Sequence, residues 1–297
     1  MRLHQQGRSL TVETPAKLNL FLELLGRRPD GYHELETLLI SVGLYDTLVF
    51  TPADSDQIEL VWGSRGTGLP ADLPVDERNL IIRAARLLRQ HTGTNQGAHI
   101  TLHKRIPVEA GMGGGSSDAA ATLVGLNRVW KLGLPMSELH NLAATLGSDV
   151  NFFLDSPVAA VGRGRGEQIT PVDVRGVLPF VIVKPHSGCS TAAVFRHVQL
   201  PSAPKSITTL CSALGTGQTQ HVGKLLHNAL QAPVVDLNVD VALTLQTLQQ
   251  QDVLAAGMTG SGSACFGLCR SVRQARTIAR RLSSQELGQV FSATSLT

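Results

Sequence analysis

Apolar and polar positions alternate most cleanly near the N-terminus. Leu18, Leu20, Leu22 and Leu24 fall on one face of the segment Lys17–Leu25, and Lys17, Asn19, Phe21 and Glu23 on the other. A period of two predicts a strand. Similar but shorter patterns predict strands at Leu10–Glu13, Thr47–Thr51, Gln57–Trp62, Ala98–Ile106, Phe180–Lys184, Cys265–Leu268 and Gln289–Ala293. The period lengthens to that of a helix over Glu77–His91, where Leu80, Ala84, Leu87 and Leu88 form one stripe. Further helices are predicted over Ser116–Trp130, Thr191–His197, Ser206–Leu214, Gln220–Leu230, Val239–Gln250 and Val272–Ser283. One more spans Ser137–Leu146, with Ser137 at its start and Gly147 as its stop. Pro29–Gly31 reads as a turn and Gly63–Pro74 as a loop. Strands and helices mix without strict alternation, so the expected class is α+β rather than a doubly wound sheet. The polar, glycine-rich stretch Gly162–Pro179 is the expected boundary, which divides the chain into residues 1–165 and 166–297.

One segment departs from both periods. Four glycines and two serines occupy Gly111–Ser117, interrupted by Met112. Each glycine costs roughly 0.5–1 kcal/mol in a regular element, so such a run is kept where backbone must approach something closely. It lies between a predicted strand and an alanine-rich predicted helix. Ser116, Ser117 and Asp118 suit the helix start, and Ala119, Ala120 and Ala121 its body. A glycine turn feeding a helix N-terminus offers free N–H groups to an anion, commonly a phosphate.

Composition narrows the partners. The chain has 297 residues, of which 42% are hydrophobic and 16% charged, enough for a substantial core. The net charge of +3 is scattered and aromatics are only 4%, so a stacking platform for nucleic acid is not expected. Cys189, Cys211, Cys265 and Cys269 match no zinc spacing, and the apolar surroundings of Cys265 and Cys269 predict buried free thiols. The opening MRLHQQGRSL has no apolar core of a leader, and no stretch of about 18 apolar residues occurs. The expectation is a cytoplasmic protein without a membrane partner.

Among phosphate motifs, the P-loop lysine is missing, and Ser116 stands where a dinucleotide fingerprint requires its third glycine. The protein-kinase signatures are absent as well. Pro107–Ala121 (PVEAGMGGGSSDAAA) resembles the ATP loop of the GHMP kinase superfamily. Pro15–Leu22 (PAKLNLFL) resembles the N-terminal motif of that superfamily, and Thr259–Phe266 (TGSGSACF) its C-terminal glycine-rich motif. Pro15–Leu38, Arg78–Leu88 and Leu146–Leu154 are most similar to the member acting in the non-mevalonate isoprenoid route, whose acceptor is the 2-hydroxyl of a cytidine-diphosphate-linked methylerythritol. Met112 stands where Leu is usual and Asn151 where Pro is frequent, and neither change removes a reactive group.

The resemblance implies an N-terminal nucleotide domain like ribosomal protein S5 and a C-terminal ferredoxin-like α/β sandwich. It implies ATP and Mg²⁺ as cofactors, a small-molecule acceptor, and a monomer or weak homodimer. Asp149 becomes the catalytic base and Lys17 its cationic partner, although as residue types they also suit a surface turn and a solvated strand. Gly111, Gly113, Gly114, Gly115, Ser116 and Ser117 would hold the phosphates, with Asn79 and Lys104 near the adenine. Asn19 would position the acceptor. Tyr32 and Phe195 would stack on the cytosine, with His33 hydrogen-bonding it, whereas on residue type alone Tyr32 and His33 are a packed corner and Phe195 is helix core. Thr191, Gly260, Ser261 and Gly262 complete the acceptor side. A kinase for another alcohol, or a ligand sensor of the same fold without catalysis, stays open at this point.

Overall fold

Residues 1–65 and 73–297 are described by a computed structural model. The predicted loop Gly63–Pro74 falls largely on residues 66–72, outside that range, and Gly63–Arg65 belongs to a strand instead. The chain forms two compact units from interleaved segments. Residues 1–16, 44–108 and 113–156 make the first, and residues 17–43, 109–112 and 157–297 the second. The first lies wholly inside the predicted 1–165 segment. The second takes all of 166–297 and adds earlier pieces of chain.

In the first unit, β1 (Arg2–Gln6) pairs antiparallel with β2 (Ser9–Arg27). The sequence predicts two strands where β2 runs without a break through Pro15. Proline is accepted there because β1 reaches only Glu13, so no ladder bond from that side is lost at Pro15. β3 (His33–Ala53), β4 (Ile58–Arg65) and β5 (Gly97–Lys104) complete the order β1-β2-β3-β5-β4. β4 and β5 are parallel and joined by α1 (Leu80–Thr92), as a parallel pair requires a crossover. α2 (Gly114–Val129) and α3 (Met136–Leu146) pack with α1, and α4 (Val150–Asp155) packs on α2 and α3. Gly125 of α2 faces the Phe50 ring of β3 with no room for a Cβ, which lets the helix lie close on the strand.

The second unit contains the remainder of β2 and β3. β6 (Ala159–Gly164) lies antiparallel on Leu35–Ile40 of β3, and β7 (Gln168–Val172) on β6. These two strands occupy the stretch expected to be an irregular boundary. Gly164 and Gly166, at φ 74° and 105°, turn the hairpin, so the glycines signal a turn between strands rather than a linker. β8 (Pro179–Lys184) is central in a second, antiparallel sheet. The helices α5 (Thr191–His197), α6 (Thr208–Gly215) and α7 (Thr219–Lys224) follow. The helix predicted over Gln220–Leu230 stops at Lys224, because β9 (His227–Asn228) pairs with Phe21–Leu22 of β2 and the Asn228 amide donates to the Met258 and Gly260 carbonyls. α8 (Gln231–Leu237) and α9 (Val239–Gln249) precede β10 (Ala255–Met258) and β11 (Cys265–Leu268), then α10 (Val272–Leu282) and β12 (Gln289–Thr294). The sheet order is β10-β11-β8-β12. Val181, Val183, Leu248, Cys265, Ile278 and Leu282 lie in its core, and the four cysteines are free thiols. No described helix is long and apolar enough to cross a membrane.

Candidate active site

In the first unit the glycine run opens α2. The helix starts at Gly114, two residues before the predicted start, with Gly113 as N-cap in the left-handed region at φ 73°. That conformation favours glycine. The first intrahelical bond runs from the Ser117 amide to the Gly113 carbonyl, at 2.8 Å. The amides of Gly114, Gly115 and Ser116 therefore have no acceptor within the helix and sit at its positive end. Gly115 is exposed, and a Cβ there would meet nothing nearer than Leu80 at 3.5 Å. Ser117 differs from the rest of the run. Its hydroxyl is buried, donates to the Pro15 carbonyl at 2.7 Å and is paired with the Thr14 hydroxyl at 2.6 Å. That side chain anchors α2 to β2 and has no capacity left for a phosphate.

Asn79 and Lys104 are both bonded within the first unit. Asn79 is the N-cap of α1: its Oδ1 accepts from the Ile81 amide, and its Nδ2 donates to the Pro74 carbonyl. Lys104 is buried, and its Nζ donates to Asp46 and Asp118. A cap and a buried ion cluster account for both residues without a nucleotide.

Asp149 begins α4, and its carboxylate makes no capping bond to that helix. The residue is half-buried. Gly147, two positions earlier, faces the first turn of α2, where a Cβ would stand 3.9 Å from Ser116 Oγ. His140 of α3 binds Asn151 Oδ1 at 3.1 Å and Asp155 Oδ1 at 3.0 Å, pinning α4 at both its ends. The first unit thus brings the open amides and Asp149 to neighbouring turns.

In the second unit Lys17 and Asn19 share one face of β2, as the alternation predicts. Lys17 is only 3% exposed, and its Nζ donates to Asn19 Oδ1 at 2.6 Å. Asn19 is also bonded inward: Nδ2 donates to Thr37 Oγ1, and Oδ1 also accepts from Thr259 Oγ1. It orients the ammonium rather than reaching outward. Thr259 also takes the Asn19 amide at 3.0 Å and is bonded to the Gly111 carbonyl at 3.1 Å. Sequence reasoning named Gly260, Ser261 and Gly262 and missed Thr259, although it opens the same glycine run. Gly111 and Gly260 are both left-handed, at φ 69° and 56°. A Cβ on Gly111 would collide with the Thr259 carbonyl, and one on Gly260 would lie 3.1 Å from the Gly111 carbonyl. These two glycines serve the mutual approach of two backbones.

Three aromatic residues gather in the same unit. The His33 ring lies 5.2 Å from the Phe195 ring, tilted by 34°. His33 Nε2 is buried without a hydrogen-bond partner. Burial, and then the charge of Arg27, hold the imidazole below its ordinary pKa. Phe195 is half-buried against the core, so it is both helix core and a neighbour of His33. Tyr32 is 56% exposed, with the Arg165 guanidinium 4.8 Å from its ring centre. Arg165 was not anticipated. Thr191 and Ser261 join their hydroxyls at 2.8 Å beside the second glycine run, which also has left-handed Gly262.

The family signature described as GHMP kinases N terminal domain matches residues 79–163, and GHMP kinases C terminal matches residues 210–287. The chain is 40% identical over 285 residues to the 4-diphosphocytidyl-2-C-methyl-D-erythritol kinase of Alcanivorax borkumensis, covering 95% of this chain and 90% of that one. It is 41% identical over 274 residues to the kinase of that name from Pelotomaculum thermopropionicum, covering 92% and 93%. A crystal structure of 4-(cytidine 5'-diphospho)-2C-methyl-D-erythritol kinase superposes with a TM-score of 0.79 at 33% identity, covering 96% of this chain and 98% of that one. The fold is also that of an L. major mevalonate kinase, at a TM-score of 0.72 and 18% identity over 99% of this chain and 96% of that one. The chain belongs to the GHMP kinase family, among the 4-diphosphocytidyl-2-C-methyl-D-erythritol kinases.

Proposed function

We propose that this enzyme transfers the γ-phosphoryl group of ATP to the 2-hydroxyl of 4-diphosphocytidyl-2-C-methyl-D-erythritol, on the methylerythritol route to isoprenoid precursors. Family membership supports the ATP-dependent kinase. The observation that carries the choice of acceptor is His33, whose buried Nε2 lacks a partner beside the Phe195 ring. A buried polar atom without a bond is costly, and a base edge meets that need where mevalonate or homoserine offers no ring.

The roles follow from the chain's own groups. The Gly114, Gly115 and Ser116 amides hold phosphate oxygens at the positive end of α2, with Gly113 giving the turn its left-handed start. Asp149 accepts the proton of the attacking hydroxyl from its place at the start of α4, near the first turn of α2. Lys17, oriented by Asn19, offsets the charge that develops on the transferred group. His33, Phe195 and Tyr32 hold the cytosine, while Thr191, Ser261, Gly260 and Gly262 serve the rest of the acceptor. Gly111 supports them through Thr259. ATP, when bound, would supply the phosphoryl group, and Mg²⁺ bound with it would offset the triphosphate charge. Nucleotide binding is assigned to residues 1–165. Acceptor binding is assigned to residues 166–297, joined by the stretch from Lys17 to Glu34.

A coupled assay of ADP release across a panel of alcohols tests the reading. The cytidine-diphosphate-linked alcohol should be turned over, with mevalonate and homoserine at background. Turnover of either of those alone would refute it.

A further inference from the structure

Three buried charged side chains lie beneath the first turn of α2, and the mechanism above uses none of them. Lys104 Nζ donates to Asp46 Oδ2 at 2.5 Å and to Asp118 Oδ2 at 2.6 Å. Asp46 Oδ1 accepts the Arg105 and Ile106 amides, at 2.6 and 2.9 Å, where the chain leaves β5. Asp118 lies one turn along α2 from Gly114, and a Cβ on Gly114 would stand 3.0 Å from Lys104 Nζ. One ammonium therefore ties β3, the end of β5 and the helix that carries the open amides. Asp118 Oδ1 belongs to the same cluster, is buried, and has no hydrogen-bond partner.

We propose that Asp46, Lys104 and Asp118 are positioning residues for the phosphate-binding turn of α2, an inference that rests on the nucleotide reading above. Two carboxylates around one ammonium sum to one uncompensated negative charge, which is costly in a buried site. A bare anionic Oδ1 on Asp118 would add to that cost. Asp118 avoids both by keeping its proton. Burial holds its carboxyl well above the usual range, with Lys104 opposing and Asp46 assisting. Burial works against the charge on Lys104, but the carboxylates of Asp118 and Asp46 outweigh it and raise its pKa. The charged groups facing Asp118 are thus Lys104 from β5 and Asp46 from β3, with α2 adding its N-terminal amides. The cluster then holds one ion pair and one neutral acid. No negative charge is left under a turn that must receive an anion, and the turn is fixed to two strands before the nucleotide arrives.

Calorimetric binding of an unreactive ATP analogue and thermal unfolding from about pH 5 to about pH 8 test this together. Lys104→Met should weaken analogue binding at least about tenfold and raise KM for ATP, while KM for the acceptor moves by less than about threefold. Asp118→Asn should gain melting temperature relative to wild type as pH rises. The native acid retains a proton that the unfolded chain releases, so wild-type stability falls with rising pH through that window, and the amide removes this loss. Unchanged analogue affinity in Lys104→Met, or an Asp118→Asn curve parallel to wild type, overturns the proposal. If Lys104→Met does not fold, Lys104→Gln and the pH series decide it. A wild-type protein that fails to bind the analogue overturns the nucleotide reading instead.

Discussion

Asp149 opens α4 near the first turn of α2, a position that suits a general base. Asp149→Asn should lower kcat about a hundred- to ten-thousand-fold with nearly unchanged affinity for an ATP analogue, measured by steady-state kinetics and titration. His33 supplies a pH signature. Its pKa is depressed below the ordinary 6.5, so the ring stays neutral from that value upward. As pH falls below about 6.5, the unfolded chain binds a proton more readily than the native site does. Both stability and acceptor affinity should then decline on the acid side. A pH series of KM for the acceptor should show this rise in wild type and lose it in His33→Gln. Ser117 predicts the opposite of its neighbours in the glycine run. Ser117→Ala leaves Thr14 short of its bond and should cost about 1–3 kcal/mol in urea unfolding, with little change in KM for ATP. Lys17 and Asn19 were legible from the alternation because a period of two puts them on one face. The bonds that hold Asn19 inward come from Thr37 and Thr259, 18 and 240 residues away, and no local pattern could announce them.

The glycine-rich segments divide into two kinds of element. Gly113 and Gly115 are needed where α2 starts and exposes its amides. Gly111 and Gly260 are needed where two backbones meet. Gly111→Ala and Gly260→Ala should each cost about 1–3 kcal/mol in chemical denaturation, because each forces a side chain into the left-handed region and against a carbonyl. The sequence presents both runs plainly, but it cannot say which glycine faces a ligand and which faces its own chain. Helices with strong periodicity, such as α1 and α10, lie within a few residues of their predicted limits. β6, β7 and β9 were not legible. They are short and rich in polar residues or glycine, and β6 and β9 are held by strands distant in sequence.

At the scale of the molecule, the α+β class followed from mixed periodicities, and the family from three ordered motifs. The interleaved units did not follow, because β2 and β3 each contribute to both and a single boundary cannot express that. The most direct test of the account is phosphorus NMR of the reaction with ATP and the cytidine-diphosphate-linked methylerythritol. Carbon 2 of that acceptor carries a methyl group and no hydrogen. The account predicts loss of the γ-phosphate signal, growth of ADP, and a new monoester resonance unsplit by any carbinol proton. A monoester split by such a proton, or no new monoester while wild-type protein remains folded, would contradict it.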